Sequence, residues 1–271
     1  MRYFFIFCVY KTDYHTHTFH SDGRSNAEEY IEAAIKRGFS EIGISDHILI
    51  CKTDETWCMA PPDLDNYYKN ISLLRESTKQ ISVKVGLEVD YIEGKERDIE
   101  KMLEKYDLDY RIGSVHFIKG MISIDSSPEI YVGKDFDFLF KSYFDAVTKA
   151  VKSGLFDIIG HFDLIRIFCQ QPSFDPSPLY RDFSKCLKKN DVVFELNTNG
   201  RNKPLKDFYP DRRFLGILAD DKNKVCVNSD AHFAGLVGQH FEEAYRLLRS
   251  VGFTEMATFT KRKREMVPIP R

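Results

Sequence analysis

Imidazoles and carboxylates recur in this chain at spacings that suit divalent cations. His15 and His17 form an H-x-H pair, and alternate residues of an extended segment project to the same side, so both rings can reach one ion. His20 and Asp22 follow in the same loop. Further on stand Asp46-His47, Glu88 with Asp90, His116, His161, and Asp230 with His232. Imidazole and carboxylate in this mixture suit borderline ions such as zinc, manganese or iron, and a carboxylate can bridge two of them. Taken singly, each histidine is an ordinary hydrogen-bonded residue; their joint placement carries the reading.

That placement follows from the elements around them. Short β-rich runs alternate with helical patterns along the chain, the signature of βα units around a parallel sheet. The runs are Tyr3–Val9, Glu41–Ser45, Ser82–Val89, Tyr110–Val115, Phe156–Ile159, Val192–Leu196 and Lys224–Asn228. Helices are predicted over Ala27–Arg37, Leu64–Lys79, Lys95–Lys105, Phe138–Lys152, Pro178–Lys188 and Glu242–Ser250. The first of them opens with Ser25 and Glu28 in capping-box spacing and ends at Arg37-Gly38. Of the eight histidines, all but His240 fall at or just beyond the C-terminal end of a β-run, where a parallel barrel gathers its functional side chains. His240 is assigned to the surface. Such an order fits an α/β barrel better than an open doubly wound sheet, and no glycine-rich phosphate loop follows any strand, which weakens a nucleotide-binding alternative.

The 271 residues suffice for such a barrel as a single domain spanning the whole chain. No repeat, low-complexity tract or linker divides it, and the loops at Thr53–Pro62 and Gln170–Pro178 are expected to be surface excursions. Lys plus Arg total 39 against 41 for Asp plus Glu, a balance that argues against bulk affinity for nucleic acid or anionic membrane. The six cysteines include no C-x-x-C pair, so they are expected to be reduced thiols in a cytoplasmic protein. The apolar start from Met1 to Tyr10 is too short and too close to the first motif for a signal peptide.

The motifs resemble those of the polymerase-and-histidinol-phosphatase (PHP) family, above all its histidinol-phosphatase branch. In order they are Asp13-Tyr-His15-Thr-His17-Thr-Phe-His-Ser21-Asp22-Gly23, Ser45-Asp46-His47, Gly86-Leu-Glu88, Gly113-Ser-Val-His116, Ile159-Gly160-His161-Phe-Asp163-Leu, Glu195-Leu-Asn197 and Asn228-Ser-Asp230-Ala-His232. The resemblance spans Asp13 to about Phe259, and seven motifs in sequence are highly specific. The resemblance implies a distorted (β/α)7 TIM-like barrel holding two or three divalent ions. Carried over by position, it implies that His15, His17, Glu88 and Asp230 bind a first ion. Glu88 would bridge to a second, held also by His116 and His161, and Asp22, His47 and His232 would take the third.

For the substrate, the resemblance implies a small phosphorylated molecule, L-histidinol phosphate first. Arg166 stands where this branch carries an arginine that grips phosphate. In Gly200-Arg201-Asn202-Lys203-Pro204 the sequence departs from the pattern, with Asn202 in place of arginine, so Arg201 or Lys203 is expected to substitute. His20 is open to a supporting or a substrate-facing role. Asp13, Asp46 and Asp163 lie beside ligand histidines and are expected to orient them.

The implied chemistry is hydrolysis by a water ionised between two ions, with the phosphoryl charge offset by the ions and by Arg166. A water or a ligand carboxylate or histidine would protonate the leaving alcohol, so Glu88, Asp230 and His232 are expected to be catalytic alongside Arg166. Rival readings keep the fold and change the ester, to a nucleotide, a sugar phosphate or a phosphodiester, or leave a metal-binding regulatory protein without catalysis.

Overall fold

The computed structural model describes residues 10–51, 56–119 and 121–271. The β-run expected at Tyr3–Val9 lies outside them. Within them the first barrel strand is Thr12–Asp13. The second is Glu41–Ile44, resumed at His47–Ile48, and the third is Ser82–Val85, resumed at Glu88–Asp90. Ile112–Ser114, Ile158–Ile159, Val193–Asn197 and Val225–Asn228 complete the set.

Register shows that these strands close on themselves. Thr12 lies opposite Glu41, Glu41 opposite Ser82, Glu88 opposite Ile112, and Ile112 opposite Ile158, all in parallel. Ile158 then faces Val193 and Phe194 faces Val225. A parallel bridge between Thr16 and Ala231 returns the seventh strand to the first. The fold is a distorted (β/α)7 barrel. Its strands are short and interrupted, and their apolar residues are buried, as a sheet covered by helices requires.

Tyr110 fills the barrel axis, and the glycines beside it explain how. A Cβ at Gly43 would come within 2.2 Å of the Tyr110 hydroxyl and one at Gly86 within 2.2 Å of its ring, so both strands must be bare where the phenol crosses. Its hydroxyl donates to Tyr14 O at 2.6 Å.

The outer layer is α1 (Ala27–Lys36), α2 (Leu64–Ser77), α3 (Glu96–Leu103), α4 (Phe136–Lys152), α5 (Ser177–Asn190), α6 (Arg212–Asp220) and α7 (Phe241–Ser250). The capping box of α1 is Asn26 with Glu29, one residue beyond the expected Ser25 and Glu28. Ser25 Oγ instead accepts from Ala234 N at 3.3 Å, tying this turn to the loop after the seventh strand. Helix α6, which starts at the Asp211 cap, was not expected from the sequence pattern.

Nor was the C-terminal antiparallel hairpin of Glu255–Thr260 and Lys263–Pro268. It plugs the end of the barrel remote from the histidines: Ala257 and Phe259 pack with Tyr14, Tyr110, Ile158 and Val193. Among the described residues Cys51, Cys169, Cys186 and Cys226 are free thiols, and no helix is long and apolar enough to cross a membrane.

Candidate metal centre

At the opposite end of the barrel the strand termini bring their polar side chains together. His17 N donates to Ala231 O at 2.9 Å and Ala231 N to His15 O at 3.1 Å. These bonds set the His15/His17 pair, which alternates along an extended segment so that both rings face inward, against Asp230 and His232. Thr16, pointing the other way, donates to Gly43 O at 2.8 Å. Asp230 adopts a left-handed backbone with φ 49°, a conformation that costs energy outside glycine and is least costly for Asp and Asn. The amides of Asn197 and Asn199, at 3.2 and 3.3 Å, fix its Oδ2.

Glu88 is the hub. Its Oε2 lies 2.9 Å from His15 Nε2, 3.5 Å from His17 Nε2 and 2.7 Å from His47 Nδ1. Its Oε1 lies 2.9 Å from His161 Nε2 and 3.9 Å from His116 Nε2, and accepts a 2.5 Å hydrogen bond from Ser114. Asp230 Oδ1 is 3.2 Å from His17 Nε2. Asp22 Oδ2 is 3.2 Å from His232 Nε2.

Donor atoms within 4.8 Å of one another form four overlapping groups: His17, Asp22, His47 and His232; His15, His161 and Asp230; His15, His17 and Glu88; and His47, Glu88 and His116. All nine residues expected to ligate therefore converge, although the groups partition them differently from the three sets implied by resemblance. His17 joins the Asp22 group, and His161 groups with His15 and Asp230. An open cavity of about 360 Å³ lies over the cluster, lined also by Trp57, Asp125, Lys203 and Tyr209.

A PHP domain model matches residues 13–199, which carry most of these side chains. The chain belongs to the PHP family. It is 35% identical over 270 residues to the protein named "Probable histidinol-phosphatase" of Deinococcus radiodurans, covering 94% of this chain and 98% of that one. It is 30% identical over 267 residues to the histidinol-phosphatase of Bacillus subtilis, covering 86% and 97%. A solved structure of histidinol phosphate phosphatase from Lactococcus lactis, complexed with zinc, L-histidinol and phosphate, matches with a TM-score of 0.82 at 23% identity, covering 95% and 99%. That last likeness is one of fold.

The supporting residues of this PHP site differ from those expected. Asp13 accepts from Ser229 N and Gly238 N, Asp46 from Thr18 and Ser21, and Asp163 from Asp211 N. These three brace loop backbone and hydroxyls, and none forms a hydrogen bond or ion pair with an imidazole. The carboxylates that do touch rings from outside the cluster are Glu195, 2.7 Å from His15 Nδ1, and Asp90, 3.0 Å from His116 Nδ1. Sequence reasoning placed Asp90 only among the candidate cation donors and gave Glu195 no role. The signal for Glu195 was an acid inside the apolar strand Val193–Asn197, a burial that needs a partner.

The residues expected to contact phosphate do not lie together. Arg166 is 3% exposed and absent from the cavity lining; its Nε lies 2.7 Å from Asp163 and its Nη1 donates to Asp211 at 2.8 Å. Arg201 pairs with Glu243 at 2.9 Å and donates to Lys206 O at 2.7 Å, also away from the cavity. Lys203 lines the cavity and forms no ion pair among the described residues. His20 lies edge-on to Tyr67 in a separate groove with Phe19 and Leu73. His240 is exposed, as expected.

The residues present fit divalent cations. Buried atoms that face the cluster without a well-aligned hydrogen bond, though some lie as close as 2.7 Å to one another, include His15 Nε2, His17 Nε2, His47 Nδ1, Asp22 Oδ1 and Glu88 Oε2. Each such atom costs about 1–3 kcal/mol, and their coincidence at one point is explained by ions that they would share. Burial, with His47 and His232 nearby, pushes His17 down to about 3, leaving a neutral ring ready to ligate. Burial works in the same sense on His15, but Glu195, Glu88 and Asp230 outweigh it and raise that ring well above its ordinary value. Glu88 resists burial in the opposite sense: His15 and His47 hold it well below the carboxylate range.

Proposed function

We propose that this chain is a phosphoric monoester hydrolase whose substrate is L-histidinol phosphate, released as L-histidinol and phosphate, with two or three divalent ions of zinc, manganese or iron as cofactors and the cytoplasm as its place of work. The observation that carries the reading is the convergence of nine imidazole and carboxylate side chains on Glu88 beneath an open cavity. The histidinol-phosphatase relatives, aligned over most of the chain, support the choice of ester.

In this reading His15, His17, Asp22, His47, Glu88, His116, His161, Asp230 and His232 hold the ions. When bound, such ions lower the pKa of water and neutralise phosphoryl charge. The chain's own groups supply position. Glu88 is anchored by Ser114 on the neighbouring strand, Glu195 locks His15, Asp90 locks His116, and the two asparagine amides lock Asp230. Lys203 offers an unshared ammonium to the phosphate from the cavity wall. Trp57, edge-on to His47 at 4.9 Å between ring centroids, shields one side of the site from water. Arg166 serves indirectly, clamping the His161 loop to the segment that ends at Asp211.

Purified, metal-loaded protein should be assayed against histidinol phosphate, p-nitrophenyl phosphate, a nucleoside monophosphate and a phosphodiester. The highest kcat/KM is expected for histidinol phosphate. Equal or better turnover of another ester sinks that assignment, and no turnover of any favours a non-catalytic protein.

A further inference from the structure

The cavity wall carries one acid that the ion cluster does not use. Asp125 lines the cavity yet belongs to none of the cation groups at its floor. Its position is fixed by the hairpin that follows the fourth barrel strand, in which Phe117–Ile118 pairs with Ile122–Ser123. Ile124 N donates to His116 O at 3.0 Å, and Tyr131 donates to Ile124 O at 2.6 Å. The residue before Asp125 is thus clamped from both sides to the backbone of a candidate ligand and to the neighbouring loop. Ser123 Oγ donates to Asp125 Oδ1 at 3.2 Å. Among the described residues no Lys, Arg or His forms an ion pair with this carboxylate.

The cavity is therefore polarised. Lys203 contributes a positive charge to its wall, the cation-binding cluster forms the floor, and Asp125 contributes a negative charge that acts on His116 but is taken up by no ion pair among the described residues. A phosphate would be repelled by Asp125 and drawn toward Lys203 and the floor, which leaves the alcohol half of the ester against Asp125. A carboxylate in a partly desolvated cavity is unfavourable until a positive group meets it.

We infer that Asp125 selects phosphomonoesters whose alcohol carries a cationic amine, by accepting a charge-assisted hydrogen bond from that amine. The inference rests on the phosphatase reading and adds the residue that sets its specificity. Neutral sugar or nucleoside alcohols gain nothing from this contact, and anionic ones are repelled.

The test compares two esters differing only in the amine: L-histidinol phosphate and 3-(imidazol-4-yl)propyl phosphate. For the wild-type, metal-loaded protein, kcat/KM is expected to favour the amine-bearing ester about tenfold to a hundredfold, the value of a hydrogen bond to a charged group. Asp125→Asn, which keeps the shape and the Ser123 contact, is expected to collapse that ratio to within a few-fold, and to weaken binding of L-histidinol by a similar factor in calorimetry. Asp125→Glu, which retains the charge, is expected to restore part of the ratio. A preference that survives in Asp125→Asn, with unaltered L-histidinol affinity, overturns the inference; so does a wild-type protein that hydrolyses both esters alike. Hydrolysis of neither ester overturns the histidinol-phosphate reading on which the inference rests.

Discussion

Glu195 Oε1 lies 2.7 Å from His15 Nδ1, and both side chains are fully inaccessible to solvent. The same carboxylate accepts from His161 N through Oε2 at 2.8 Å and from the Asn228 amide at 2.9 Å. One acid on the sixth strand thus sets the tautomer of one imidazole and the backbone of another, leaving His15 Nε2 to face the cluster.

Glu195→Gln keeps the volume and removes the charge. Zinc affinity is expected to fall about tenfold to a hundredfold, the usual effect of losing an outer carboxylate behind a ligand histidine. Chelator competition measures it, with circular dichroism confirming the fold; an unaltered dissociation constant would show that Glu195 does no more than fill space.

For Glu88→Gln the expectation is larger, because this carboxylate lies within 3.9 Å of the rings of His15, His17, His47, His116 and His161. Metal content by elemental analysis should drop and turnover should fall roughly a hundredfold or more. Retention of full metal occupancy would displace Glu88 from the centre.

The two cations near the cavity should separate cleanly. Arg166→Ala strands Asp163 in the interior, while Asp211 keeps Arg213 at 2.8 Å, and losing one partner of a buried pair costs about 3–5 kcal/mol. A marked fall in Tm is its expected signature. Lys203→Ala, at a half-buried cavity position, should leave Tm and metal content alone and raise KM about tenfold. The reverse pattern would return Arg166 to the phosphate.

Metal affinity should rise with pH. Burial favours the neutral ring of His116, but Asp90 outweighs it and lifts its pKa from 6.5 to about 10, while His15 is raised for the same kind of reason. An ion must displace these protons to reach the nitrogens. Raising the pH from 6.5 toward 10 weakens the competing proton, so chelator competition should report progressively tighter binding over that window. Binding that is flat or weaker with pH contradicts it.

The sequence by itself determined which side chains meet at the barrel mouth. A parallel barrel sends all strand C-termini to one end, and residues two apart on an extended segment share a face, so the H-x-H pair and the strand-end His47, Glu88, His116, His161, Asp230 and His232 could be placed without coordinates. Strand and helix order followed from the same periodicities. Helix α6 and the C-terminal hairpin escaped because their roles are tertiary: one closes the barrel flank beside α5, and the other plugs its far end against Tyr14 and Tyr110.

Only the folded structure decided the outer contacts. Arg166 and Asp211 are separated by 45 residues, Glu195 and His15 by 180, and no local pattern links such pairs. Asp46 directly precedes His47, and successive residues on an extended segment point to opposite sides, so its carboxylate turned away; Asp13 and Asp163 lie two residues from His15 and His161 but are taken up by the loop amides of Ser229, Gly238 and Asp211. Which cation faces the cavity was settled by the same geometry. Arg166 found two carboxylates in the interior and was withdrawn, while Lys203 found none and stayed on the wall.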